Sequence, residues 1–178
     1  MILDLQKDAH KIREFFLERV KTFVPAKNDG PGKKGKPIQA IYVGYETSQA
    51  GWLALIFDTR PDASHDGEWT CHLEKAGNML EFPNWTESLE HVSEEPLDLV
   101  RHDGEKVKIA PATKDKESPA AVVTAIGKTI QALLEESRAG GVFDSLPLQD
   151  DCWLGIEEFD GGWAWSSDEA EAEAASEA

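Results

Sequence analysis

Two aromatic and β-branched runs, close together in the chain, constrain the fold more than any other feature of the sequence. They occupy residues 38–44 and 52–58, and the polar, glycine-containing stretch 45–51 separates them. So short a connection favours an antiparallel hairpin, because a parallel pair needs a crossover of about a dozen residues or more. After the next loop, Trp69, Cys71 and Leu73 alternate with polar residues, which predicts a third strand with one buried face.

Helical periodicity precedes this strand region. Apolar residues recur at three- and four-residue spacing from Ile12 to Phe23, and charged residues fill the opposite face. This pattern predicts an amphipathic helix that ends before Pro25. The glycine-, proline- and lysine-rich residues 26–36 predict a flexible loop.

Two more helices are predicted after the strands. The first is short, over residues 85–92, with Asn84 as its N-cap. The second begins at Ser118, with a serine cap and a proline in the first turn, and carries one apolar stripe as far as Leu134. The pair Gly140-Gly141 closes it.

The C-terminal part of the chain predicts a hairpin followed by a tail. A strand over residues 152–159 leads through Asp160-Gly161-Gly162 into a second run, 163–165. A further weak strand is predicted over residues 107–110. Residues 166–178 have no large apolar side chain, so we expect one domain over residues 1–165 and a disordered acidic tail over residues 166–178.

This order of elements predicts an α+β fold. Helices and strands do not alternate regularly, as they would in a doubly wound parallel sheet. A mainly antiparallel sheet with helices packed against it fits the pattern better. The chain length suits a single domain with a sizeable core.

Charge is the most unusual compositional property. The formal net charge is −16, and residues 37–165 hold twenty-four acids against nine Lys and Arg. A field of this sign repels nucleic-acid phosphates and anionic lipid, and it favours basic partners. The acidity therefore predicts a basic protein partner, or it serves solubility alone.

Neither a metal site nor a cofactor site is predicted. The five histidines are scattered, with no pair at three- or four-residue spacing. Residues 30–36 match the opening of a phosphate-binding loop, but a helix precedes them and a strand follows, which reverses the required order. The charged N-terminal segment is unlike a signal peptide, so a cytoplasmic location with reduced cysteines is expected. The sequence leaves the oligomeric state open.

Carboxylates near the C-terminus offer an enzymatic alternative. On a strand, Glu157 and Glu158 lie on opposite faces, so one of them is expected to point inward. An inward carboxyl group is typical of acid–base sites when its pKa is raised. No residue is assigned a catalytic role on this ground.

The same segment offers a surface for a partner. Glu157, Glu158 and Asp160 are close in sequence to Trp163 and Trp165. Aromatic side chains ringed by acids are typical of a contact surface for a basic protein, or of a core with a solvated rim. These five residues are the predicted partner-binding set.

The layout as a whole resembles the immunity-protein-like families of bacterial polymorphic toxin systems. The resembling features are the N-terminal amphipathic helix, the aromatic hairpin over residues 38–58, the strand start at Gly67-Glu68-Trp69 and the helix at Trp85. The resemblance implies a non-enzymatic inhibitor that occupies the active site of a toxin, or a surface beside it. The expected function is therefore an interaction protein, with a small enzyme or an acidic accessory domain as alternatives.

Overall fold

The computed structural model describes residues 1–23, 37–58 and 79–168. The predicted third strand at Trp69, the predicted loop over residues 26–36 and most of the predicted tail lie outside these ranges. The elements of the described part, in chain order, are β1 (Ile2–Asp4), α1 (Leu5–Lys21), β2 (Ile38–Glu46), β3 (Trp52–Asp58), β4 (Met79–Glu81), α2 (Pro83–Glu94), β5 (Leu97–Val100), β6 (Lys106–Ile109), α3 (Ser118–Ala139), β7 (Leu148–Glu158) and β8 (Ala164–Ser166).

The larger sheet has five strands in the order β4-β3-β2-β7-β8. The predicted hairpin is confirmed, with β2 and β3 antiparallel and Tyr42 opposite Ile56. The predicted C-terminal hairpin is also confirmed, because β7 and β8 pair antiparallel with Ile156 opposite Trp165. In the centre, β2 and β7 are parallel. The α+β class is therefore confirmed, and the sheet is mixed rather than purely antiparallel.

The smaller sheet has three strands in the order β1-β5-β6. The strand β6 confirms the weak prediction over residues 107–110, whereas β1 and β5 were not predicted. Both are only three or four residues long, and β1 leads directly into α1. Strands this short carry too little alternation to be recognised by pattern alone.

All three predicted helices are present, but two predicted caps are wrong. The helix α2 begins at Pro83, so Asn84 lies within its first turn. The side-chain amide of Asn84 donates to the carboxylate of Asp8 instead of capping the helix. The helix α3 has Glu117 as its N-cap residue, without a side-chain capping bond. Ser118 Oγ is buried and has no hydrogen-bond partner among the described residues. The C-terminus of α3 is as predicted, since Gly141 has a φ of 73° and follows Gly140 at the cap.

The main core lies between the helices and one face of the larger sheet. Alternate strand residues such as Val43, Leu55 and Ile156 face α1 and α3, whose apolar stripes include Ile12 and Ile126. The second face of the sheet carries a smaller cluster of three aromatic side chains and one isoleucine, in which Tyr42 is stacked on Trp153; its members are Tyr42, Ile56, Trp52 and Trp153. Both faces of the sheet therefore contribute buried apolar side chains.

The helices of the described part are too short or too polar to cross a membrane.

Candidate functional site

The parallel strands β2 and β7 end at the same edge of the larger sheet. The turn after β2 covers residues 47–51 and the turn after β7 covers residues 159–163. The backbone amide of Phe159 donates to the carbonyl oxygen of Tyr45 at 2.8 Å, which continues the pairing of the two strands into the second turn. Most of the sequence-predicted site residues lie in or next to these turns.

Glu158 holds the second turn from inside. Its side chain is only 2% exposed, which confirms that one of the two adjacent glutamates points inward. One carboxylate oxygen accepts from Thr47 Oγ1 at 3.1 Å, and the other accepts from the backbone amides of Asp160 and Gly162 at 2.9 and 3.1 Å. Three donors thus satisfy both oxygens of the buried carboxylate, and all three belong to the two turns.

Glu46 holds the first turn in the same way, with its buried carboxylate. Its carboxylate accepts from the backbone amides of Ser48, Gln49 and Ala50 and from Ser48 Oγ. Burial of Glu46 opposes ionisation, but these hydrogen bonds outweigh it and lower the pKa of the carboxyl group. Glu46 is therefore ionised at neutral pH and acts as the anionic cap of the β2–β3 turn.

We predict that Glu46→Gln destabilises the domain in a pH-dependent way. A glutamine cannot accept with both terminal atoms, so at pH 7 the variant should lose about 1–3 kcal/mol of the free energy of unfolding. Because the folded-state pKa is lowered, this stabilisation is complete above the ordinary value of 4.5 and is lost as pH falls through the folded-state pKa. Urea titrations at pH 7, 4.5 and 3 measure it. The matched control is Glu90→Gln, an exposed site on α2; a Glu46→Gln deficit that is the same at every pH would contradict the assignment.

Glu157 lies on the opposite face from Glu158. It is half-buried, and its carboxylate accepts from the hydroxyl group of Tyr42 at 2.7 Å. Burial raises the pKa of Tyr42, and the hydrogen bond and charge of Glu157 raise it further. The two neighbouring glutamates therefore belong to different surroundings.

Asp160 is exposed at the tip of the second turn. Its Oδ2 lies 2.6 Å from Ser48 Oγ, so the tips of the two turns are in contact. Phe159 is 48% exposed, and its ring lies beside that of half-buried Trp52, with 6.0 Å between centroids and 59° between planes. We call Ser48, Trp52, Phe159 and Asp160 the turn-edge surface. It combines aromatic and anionic groups at one exposed place.

Trp163 and Trp165 are half-buried against the main core. A Cβ built on Gly127 of α3 would lie 2.3 Å from the Trp163 ring, so the absence of a side chain at Gly127 makes room for the indole. The five predicted residues are therefore divided among three places: the turn tip for Asp160, the second sheet face for Glu157, and the core side for Glu158 and both tryptophans. Of these five, only Asp160 lies on the turn-edge surface.

The sequence interpretation did not assign Phe159 or Trp52 to a candidate surface. Phe159 is the last residue of the predicted strand, and Trp52 is half-buried and packs against the second-face cluster. The position of Phe159 directly before Asp160-Gly161-Gly162 was the available signal, because side chains next to a turn are less covered by neighbouring strands. Phe159 is the only aromatic side chain among the exposed large apolar residues of the described part of the chain.

Within the described residues, no group of three or more His, Cys, Asp or Glu side chains could hold a metal ion. Cys152 is a free, buried thiol whose pKa is raised by burial, although the charge of Arg138 opposes that shift. A buried thiol with a raised pKa is a poor nucleophile at neutral pH. Cys71 lies outside the described residues.

A scan against protein-family models found no match, and searches of curated proteins and of solved structures also found none. The function is therefore inferred from the residues and their arrangement.

Proposed function

We propose that this chain is a non-enzymatic interaction protein that binds a basic protein, as an immunity-type inhibitor does. The observation that carries the proposal is the turn-edge surface, where exposed aromatic and anionic side chains meet on a chain of net charge −16. Aromatic residues are enriched in protein interfaces, and acidic side chains beside them complement the charge of a basic partner. The same negative charge disfavours nucleic acid as a partner.

Acidic side chains on α2 support the proposal. Glu87, Glu90 and Glu94 recur at three- and four-residue spacing and are all exposed, so they share one side of the helix. None of the three forms an ion pair with another described residue. An unpaired row of this kind extends the negative field and speeds association with a basic protein.

The hydrogen bonds of Glu158 disfavour the enzymatic alternative. Its carboxylate is the inward-facing acid on which such a mechanism would depend, and both oxygens accept from groups of the two turns. The carboxylate of Glu158 is therefore buried because it holds the two turns together through these hydrogen bonds. The third alternative, acidity for solubility only, is separated by the experiment that follows.

The partner experiment starts from extract of the source organism, passed over the immobilised protein at about 50 mM salt. A captured protein is identified by mass spectrometry, purified and tested again by itself. We expect it to be basic, and we expect its association rate to fall at least about tenfold between 50 and 500 mM salt, because screening shortens the range of the field. Co-expression should also relieve growth inhibition caused by the partner alone.

Matched variants make this result specific. Combined Glu87→Gln, Glu90→Gln and Glu94→Gln should slow association, whereas a change of the salt-bridged Glu105 to Gln should have a smaller effect. Binding that is insensitive to salt, or a partner without an excess of basic residues, would contradict the proposal. If the variants lose only solubility and no purified partner binds, the acidity serves solubility.

A further inference from the structure

The turn-edge surface has an aromatic side built by strand register. Trp52 lies opposite Glu46 on β2 and opposite Glu81 on β4. The hydrogen bond from the Phe159 amide to the carbonyl oxygen of Tyr45 places Phe159 at the end of β7, on the other side of β2 from Trp52. The rings of Trp52 and Phe159 are in contact. Two ring faces inclined at 59° therefore lie at one exposed edge of the sheet.

The same place has an anionic side. Asp160 directly follows Phe159, and its Oδ2 lies 2.6 Å from Ser48 Oγ, whose single proton it shares with Glu46 Oε1. No hydrogen bond from a described residue reaches its other carboxylate oxygen, Oδ1. Glu46, opposite Trp52 in the sheet, contributes a second carboxylate, which is ionised because its hydrogen bonds lower its pKa. The aromatic pair thus lies next to negative charge.

The turn that carries Phe159 and Asp160 is held in place. Glu158 accepts from the amides of Asp160 and Gly162, and its carbonyl oxygen accepts from the amide of Gly161. Gly161 has a φ of 78°, a conformation that glycine adopts without strain. A surface fixed in advance binds with less loss of conformational entropy.

We propose that the turn-edge surface binds the guanidinium group of an arginine side chain of the basic partner. A planar guanidinium stacks on aromatic rings and donates N–H bonds to a carboxylate oxygen, so it can use Phe159, Trp52 and Asp160 Oδ1 together. The ammonium group of lysine is a strongly hydrated point charge and uses only the carboxylate well. This inference deepens the proposed function and rests on it.

The test uses the full chain and a defined probe, the blocked tripeptide acetyl-Gly-Arg-Gly-amide, with the lysine tripeptide for comparison. Binding is followed by two-dimensional ¹H–¹⁵N NMR at about 20 mM salt. We expect peptide-dependent shifts at the Trp52 indole and the amides of residues 159–161, and about threefold tighter binding of the arginine peptide, from its added ring contact. Trp52→Phe identifies the indole signal.

Three variants separate this site from general attraction to an acidic protein. Phe159→Leu keeps an apolar side chain without a ring, and should remove the preference for arginine. Asp160→Asn should weaken both peptides. Asp150→Asn is the matched control, because Asp150 is exposed at the opposite end of β7, about 30 Å away, and it should change neither peptide. Amide dispersion of each variant verifies that it is folded.

The outcomes distinguish the site from the function. An unchanged arginine preference in Phe159→Leu, or equal shifts around Asp150, would overturn the arginine site. If the purified basic partner nevertheless binds in a salt-dependent way, the proposed function stands without the arginine site. If the arginine peptide binds as expected and no basic partner is captured, the site stands and the proposed function fails.

Discussion

Gly51→Ala is expected to lower the free energy of unfolding by about 3 kcal/mol or more. Gly51 has a φ of 58°, and an L-residue in this region costs about 1–2 kcal/mol. A Cβ at this position would also lie 2.0 Å from the carbonyl oxygen of Phe82, a backbone atom that cannot turn away. The amide of Phe82 donates to the carbonyl oxygen of Gly51 at 2.6 Å, so relief of the clash would break this bond. Denaturant unfolding followed by tryptophan fluorescence measures the loss.

The matched control for this prediction is Gly161→Ala. Gly161 has a similar positive φ of 78°, but a Cβ there would meet no atom within 4 Å. The control variant therefore reports conformational strain alone and should lose only about 1 kcal/mol. Equal losses in the two variants would show that the contact between the β2–β3 turn and α2 is not tight.

The local sequence pattern predicted the elements whose contacts lie near in sequence. The hairpin of β2 and β3 and that of β7 and β8 each join strands a few residues apart, so spacing alone indicated their pairing. The apolar stripe of α3 similarly marked its buried face, from Val122 to Leu134. In each of these elements, the neighbours that determine the structure are near in sequence.

Long-range pairing could not be predicted in this way. The parallel contact between β2 and β7 joins segments that are more than a hundred residues apart, with Tyr42 opposite Gly155. The wrong cap at Asn84 has the same origin, because the side chain of Asn84 bonds to Asp8 of α1 rather than to its own helix. A distant partner overrides a local preference when it offers a buried group a hydrogen bond.

The candidate site shows this division within a few residues. Strand alternation predicted that one of Glu157 and Glu158 points inward, and Glu158 does. The burial of Trp163 depends on the room above Gly127, which belongs to a helix elsewhere in the chain. The contact of Phe159 with Trp52 depends on the central parallel pairing. The anionic part was therefore visible in the sequence, and the aromatic part required the sheet order.

Charge reversal at Glu158 is expected to change the stability of the domain far more than charge reversal at Asp160. Glu158→Lys places a cation in a buried position and leaves three hydrogen-bond donors without an acceptor, so it should cost more than about 4 kcal/mol and unfold the domain. Asp160→Lys changes an exposed side chain whose one hydrogen bond with a described residue is to Ser48, and it should change stability by less than about 1 kcal/mol. Circular dichroism and thermal unfolding of the two variants measure this difference.

The folded Asp160→Lys variant then tests the surface. It should bind the purified basic partner with a lower association rate, because the reversal removes an attractive charge and adds a repulsive one at the turn tip.

Glu158→Gln addresses the enzymatic alternative, since it keeps the shape of the side chain while it weakens the hydrogen bonds. A structural carboxylate predicts that Glu158→Gln lowers stability by about 1–3 kcal/mol. A variant of full stability would instead show that the carboxylate is not needed to hold the turn, and would return Glu158 to consideration as a reactive group.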